Sequence, residues 1–250
     1  MGRPMTGLGA AGASGAAGAS GAAGASGAAA APALSPTDRR VGILGGTFDP
    51  IHYGHLVIAE QVREALALDR VLFIPAAVPP HRIGLAITPA EHRAALVGLA
   101  IAGNPRFAIS RVELERDGPS YTADTLEILA DEASREGVAR ELFFILSSEA
   151  LAALETWHDP GRVLTLCRLA VVPRPGTPLP TEAELTTRFG DRAGRILEVA
   201  TVPLAHSASA VRSRAAAGLS IRYLVPPAVE EYIRGHRLYR SDNPSEDSPK

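Results

Sequence analysis

The chain has 250 residues, 46% of them hydrophobic and 21% charged, with a formal net charge of −2. That balance argues against a broad electrostatic attraction to nucleic acid, and no apolar run approaches the roughly 20 residues that span a bilayer. The single cysteine, Cys167, excludes an intrachain disulfide framework and suits a reducing compartment. The N-terminus lacks the basic start and leucine-rich centre of a secretory signal, so a cytoplasmic protein is expected. Lys250 is the only lysine among 25 Lys and Arg residues, so a cationic site must be built from Arg or His.

Residues 9–26 are three copies of Gly-Ala-Ala-Gly-Ala-Ser. Such a repeat has no large side chain to bury and cannot offset the entropy of ordering its backbone. Residues 1–39 are therefore expected to be a disordered leader and 240–250 a disordered tail, leaving one domain over 40–239.

Within that domain strands and helices alternate. Val41–Leu44 is a short apolar run ending in Gly45-Gly46, and Gly54–Leu68 carries Ile58, Val62, Ala65 and Leu66 at helical spacing. Val71–Pro75 reads as a second strand, Pro89–Ala102 as a second helix and Phe107–Ile109 as a third strand. Thr122 is expected to cap a helix with Leu126, Leu129, Ala130 and Ala133 on one face. Leu142–Leu146, Leu169–Val172 and Ile196–Val202 are three further strands, and helices follow near Ser209–Ala217 and Pro226–Gly235. This alternation, without hairpin signals, implies a Rossmann-like doubly wound parallel sheet that binds ligands at the carboxyl ends of its strands.

The first such end is Gly45-Gly46-Thr47-Phe48-Asp49-Pro50-Ile51-His52-Tyr53-Gly54-His55. The glycine pair lets backbone approach a ligand that a Cβ would hold away. His55 opens the next helix, whose unpaired N–H groups and positive dipole end favour phosphate. Zinc is the other reading of His-x-x-His, but it lacks thiolate or carboxylate partners to complete a ligand set. Near the other end of the chain, Ser207, Ser209 and Arg212 open a helix, where hydroxyls, free N–H groups and a permanently charged fork face one anion. A helix cap beside a solvated arginine is the blander reading of that segment.

Gly46, Phe48, Pro50, His52, Gly54 and His55 resemble, position for position, the histidine signature of the nucleotidyltransferase superfamily. Pro79-Pro80-His81-Arg82, Thr88, Glu91-His92-Arg93 and Gly118–Leu126 are similar to bacterial nicotinate mononucleotide adenylyltransferases. So are Trp157-His158, Arg174-Pro175-Gly176, Ser207–Arg212 and Ser220–Pro226; the likeness covers about residues 40–239. The resemblance implies adenylyl transfer from ATP to nicotinate mononucleotide, with Mg²⁺ carried by ATP. It assigns catalysis to His52, His55 and Arg212, and ATP binding to Gly45, Gly46, Thr47, Phe48, Arg82, Ser207 and Ser209. It assigns the acceptor to Thr88, Tyr121, Glu149, Trp157, His158 and Arg174, with no protein metal ligands. No nucleic acid or membrane partner is implied, and a homo-oligomer is compatible with it. The chain departs from the family in Arg82 for lysine, in Ser147-Ser148-Glu149 for Gly-x-Asp, in His206 for an aliphatic residue and in Ala208 for serine. Transfer to nicotinamide mononucleotide or another phosphate, and a catalytically weakened nucleotide sensor, remain the alternatives. An aminoacyl-tRNA synthetase is set aside for want of a Lys-Met-Ser-Lys-Ser segment.

Overall fold

The strands β1 (Arg40–Gly46), β2 (Arg70–Pro75), β3 (Phe107–Ile109), β4 (Glu141–Ser147), β5 (Arg168–Val172) and β6 (Ile196–Glu198) form one sheet. Their order is β3-β2-β1-β4-β5-β6, and every pairing is parallel. This computed structural model describes residues 34–80, 86–174, 176–202 and 204–240. The helices are α1 (Tyr53–Ala65), α2 (Ala90–Ile101), α3 (Thr122–Arg135), α4 (Ser148–Ala152), α5 (Pro160–Leu166), α6 (Glu182–Phe189), α7 (Ala208–Ala216) and α8 (Pro227–Gly235). The expected Rossmann-like sheet is present. Among the described residues no helix is long and apolar enough to cross a membrane.

Side-chain alternation sorts the strands into two apolar layers, as a sheet covered on both faces requires. Val71, Phe73, Phe143, Ile145, Ala170 and Val172 pack on one face with residues of α1, α2, α7 and α8. Leu72, Ile74, Leu142, Phe144, Leu146, Leu169 and Val171 pack on the other with residues of α3, α4 and α5. Strand order reverses between β1 and β4, and there the chain leaves the sheet in opposite directions and opens a crevice. Gly46 ends β1 and Ser147 ends β4, so the glycine pair and Ser147-Ser148 flank that crevice.

Three boundaries differ from expectation. Residues 34–39, expected in the leader, pack on the domain: Asp38 is buried, pairs with Arg70 Nε at 2.9 Å, and accepts the Ser35 N–H at 2.7 Å. The rest of the expected leader and the tail from 241 lie outside the described residues. Thr122 is the first helical residue rather than the cap of α3. Tyr121 is the cap, and its carbonyl accepts the Thr125 N–H at 3.2 Å. β6 stops at Glu198 rather than Val202; after Val199 N–H donates to Val171 O at 2.9 Å, the chain leaves the sheet.

Candidate active site

The loop from β1 to α1 folds back on its own histidines. Phe48 adopts a left-handed φ of 48°, a conformation that costs a non-glycine residue of order 1 kcal/mol. Its ring lies where a Cβ on Gly46 would sit 3.3 Å away, and it meets the His55 ring edge-on at 5.1 Å. His52 and His55 stack with ring centroids 3.9 Å apart. Gly54 between them is required by space: a Cβ there would lie 2.9 Å from two atoms of the His52 ring.

Hydrogen bonding fixes the state of His55. The backbone N–H of His52 donates to its Nδ1 at 3.3 Å, so the neutral ring carries its proton on Nε2, free to donate outward. Nδ1 of His52 is buried with no partner among the described residues. Burial pushes the His52 imidazole down to about 4, with His206 and Arg174 adding to the fall. Burial, then His52, then Arg174 hold His55 well below the usual histidine range. Both rings are therefore neutral donors at neutral pH, and an arriving anion would favour their protonation.

The C-terminal part of the chain closes on this loop. Arg212 on α7 donates from Nη1 to the backbone carbonyl of Asp49 at 2.7 Å, and Tyr53 N–H at the start of α1 donates to Leu224 O at 3.1 Å. Ser207 caps α7, accepting the Ala210 N–H at 3.2 Å, and its hydroxyl lies 3.1 Å from that of Ser209. The His206 ring faces His52 at 6.3 Å and 29°. His206 thus stands beside His52 and Arg212 reaches the Asp49 carbonyl, so the segment 206–212 lies against the β1–α1 loop.

Two residues outside the expected set hold it in place. Arg93 on α2 is fully buried and donates to three backbone carbonyls: Thr47 at 2.7 Å, Thr88 at 2.8 Å and Ala77 at 3.3 Å. It ties the glycine loop to the Thr88 loop. The buried Asp49 carboxylate accepts Tyr239 Oη–H at 2.7 Å and, more distantly, the Thr88 N–H at 3.4 Å. Burial, reinforced by Asp49, pushes the Tyr239 phenol well above its usual range, so it stays a donor. The Glu91-His92-Arg93 segment was visible in the sequence, but not that three separate loops converge on its arginine.

On the other side of the crevice the expected acceptor residues fall into two groups. Tyr121 and His158 stack at 4.4 Å, and Trp157 packs edge-on against Phe144 of β4 at 5.9 Å. Phe144 in turn lies 3.5 Å from where a Gly45 Cβ would be, which connects that wall to the glycine pair. Arg174 follows β5, and its backbone N–H donates to the buried Ser148 hydroxyl at 2.9 Å. Ser148, part of the segment that departs from the family pattern, thus positions Arg174. Glu149 is exposed in the first turn of α4 and its side chain joins none of these groups among the described residues. Arg82 lies outside the described residues.

The sheet is parallel throughout in this order, and imidazoles, hydroxyls and a guanidinium lie beyond the carboxyl ends of its strands. The chain belongs to the cytidylyltransferase-like family, whose pattern matches residues 43–214. It is 48% identical over 205 residues to the "probable nicotinate-nucleotide adenylyltransferase" of Thermomicrobium roseum, covering 81% of this chain and 92% of that protein. It is 45% identical to the protein of the same name from Thermus thermophilus, over 80% of this chain and all of the other. A solved structure of Plasmodium falciparum nicotinic acid mononucleotide adenylyltransferase complexed with NaAD shares the fold. Its TM-score is 0.64 at 16% identity, over 80% of this chain and 97% of that one.

Proposed function

We propose that the chain transfers the adenylyl group of ATP to nicotinate mononucleotide, giving nicotinate adenine dinucleotide and pyrophosphate. The observation that carries this reading is the convergence of His52, His55 and Arg212 at the β1/β4 crevice, in a chain 45–48% identical to relatives bearing that activity in their names. The attacking phosphate of the acceptor is already anionic near neutral pH, so the reaction needs no general base and no covalent enzyme intermediate. Its barrier comes from bringing two polyanions together and from charge building on the departing pyrophosphate. Catalysis is then positioning and electrostatic stabilisation.

Nε2–H of His55 and the ring of His52 would donate to the α- and β-phosphate region. Ser207, Ser209, the N-terminus of α7 and the remaining N–H groups of Arg212 would hold the leaving pyrophosphate. Gly45, Gly46, Thr47 and Phe48 would form the floor, and Arg82, which follows β2 in the sequence, would add a charge. ATP would enter as its Mg²⁺ chelate, the metal supplying neutralisation of phosphate charge that the protein would not have to provide through carboxylate ligands. The donor set fits that arrangement: the one carboxylate of the loop, Asp49, already serves Tyr239 and Thr88. Trp157, Tyr121 and His158 form an aromatic wall suited to a pyridine ring, with backbone N–H groups near Thr88 and His158 and the charge of Arg174 available to its carboxylate and phosphate. Glu149, in the first turn of α4, would reach the ribose. The one domain expected over residues 40–239 would carry the whole reaction.

Pyrophosphate release with MgATP, measured against nicotinate mononucleotide, its amide and phosphopantetheine, tests this. Turnover is expected with the acid and much weaker turnover with the amide, which cannot use the carboxylate contacts. Turnover favouring either competitor would contradict the assignment. ATP binding without release for any acceptor would support a sensor instead.

A further inference from the structure

We propose that His206 is a third imidazole of the phosphate cradle and contacts the β- or γ-phosphate of ATP, an inference that rests on the adenylyl-transfer reading above. His206 immediately precedes Ser207, the cap of α7. Its backbone N–H donates to Leu204 O at 2.8 Å, which turns the segment toward α1. The side chain crosses the N-terminus of α1 so closely that a Cβ on Gly54 would lie 3.4 Å from its own Cβ. Its ring lies at 29° to that of His52, with 6.3 Å between centroids. The two rings thus face one another, His52 preceding α1 and His206 preceding α7. A polyphosphate running from one helix N-terminus to the other would pass both.

The unpaired nitrogen gives the argument its direction. Nδ1 of His206 is buried and, like Nδ1 of His52, has no hydrogen-bond partner among the described residues. A buried polar atom left unpaired is costly, and an aliphatic side chain would fill the same space without that cost. Two such nitrogens in adjacent rings at one crevice mark a place where the missing partner is a ligand. The ligand must be an acceptor, because the surrounding groups are donors: His55 Nε2–H, the hydroxyls of Ser207 and Ser209, and the guanidiniums of Arg174 and Arg212. The neighbouring acid, Asp49, is turned away toward Tyr239. Phosphate oxygens suit that inventory.

The position beside Ser207 assigns His206 to the distal phosphates rather than to the adenosine, and this separates a ligand contact from mere packing. Calorimetric titration of the full chain and of His206→Leu with MgATP and with AMP tests it. The expected result is about a tenfold or greater rise in the MgATP dissociation constant, the loss of one hydrogen bond to a charged oxygen, with AMP binding unchanged. His206→Gln, which retains an N–H donor, should recover part of the loss and guards against a leucine variant that folds poorly. Unchanged MgATP affinity in both variants overturns the inference. Equal losses for MgATP and AMP also overturn it, because they describe a packing residue. If the unmodified chain fails to bind MgATP, the adenylyl-transfer reading falls and this inference falls with it. Normal MgATP binding by the unmodified chain with no effect of either variant removes the inference alone.

Discussion

Gly54→Ala isolates the geometry of the histidine pair from its chemistry. Alanine is the better helix former by up to about 1 kcal/mol, so local propensity favours the substitution and any loss must come from contact. The new Cβ would sit 2.9 Å from Cε1 and from Nδ1 of His52 and 3.4 Å from Cβ of His206. Comfortable packing needs about 3.5–4.0 Å, so the His52 ring would have to withdraw by more than half an ångström. It has nowhere to go. It is only 6% exposed, and it is stacked on His55 at 3.9 Å. Overpacking of this kind costs about 1–3 kcal/mol, and a donor displaced by about 1 Å loses on the order of 10²-fold in rate. Pyrophosphate release should therefore fall by about 10²-fold, while the thermal midpoint drops by only several degrees. Wild-type turnover in a folded Gly54→Ala chain would refute the reasoning that this glycine sets the position of the cradle.

Arg93→Met should destabilise the chain by roughly 3 kcal/mol or more, because three carbonyls lose a buried charged donor at once. Urea unfolding measures it, and a change under about 1 kcal/mol would contradict the assignment. Tyr239→Phe removes the hydroxyl bonded to Asp49, worth about 1.5–3 kcal/mol for a charged acceptor. It should lower turnover as well, since the Asp49 carbonyl also holds Arg212; denaturation and pyrophosphate release read the two effects separately. The pH dependence has a definite sign. His52 falls from 6.5 to about 4 on folding, so the unfolded chain binds more protons between those values and stability rises with pH across them. Its contribution, on the order of 3 kcal/mol, is full above about pH 6.5 and disappears as pH falls toward 4. Unfolding free energies at pH 4.5 and 7.5 for the unmodified chain and His52→Asn should show a smaller pH slope in the variant. An equal slope would contradict this.

Much of the architecture was legible because the chemistry repeats locally. β1, β2, β4 and β5 are apolar runs closed by glycine, proline or polar residues, and two covered faces leave no polar residue to blur them. α3 was legible from its buried face of Leu126, Leu129 and Ala133. The short helices α4, α5 and α6 were not. α4 has five residues. α5 starts from Asp159 in a left-handed conformation, with its carboxylate accepting the Arg162 N–H. α6 buries no residue fully and turns only Leu185 and Phe189 toward the core, too short a stripe to stand out; its clearest local sign is the reciprocal capping of Thr181 and Glu184. The candidate site divides in the same way. The histidines, glycines and serines stand in contiguous motifs, so spacing and helix-end chemistry find them. Apart from the bond of Arg93 to Thr88 five positions off, Arg93, Ser148 and Tyr239 act on backbone or side chains that lie 16 to 190 positions away, beyond the reach of a local motif. His206 was visible only as an unusual residue in its segment, and the ring of His52 beside it gives that oddity a physical meaning.

Crystallography of the chain with a non-hydrolysable ATP analogue and Mg²⁺ addresses the shared cradle most directly. The account predicts phosphate oxygens within hydrogen-bonding distance of the His52 or His55 imidazole and, in the same molecule, of the Arg212 guanidinium or the α7 N-terminus. Phosphates bound away from the β1/β4 crevice, or touching only one of those two sides, would contradict it.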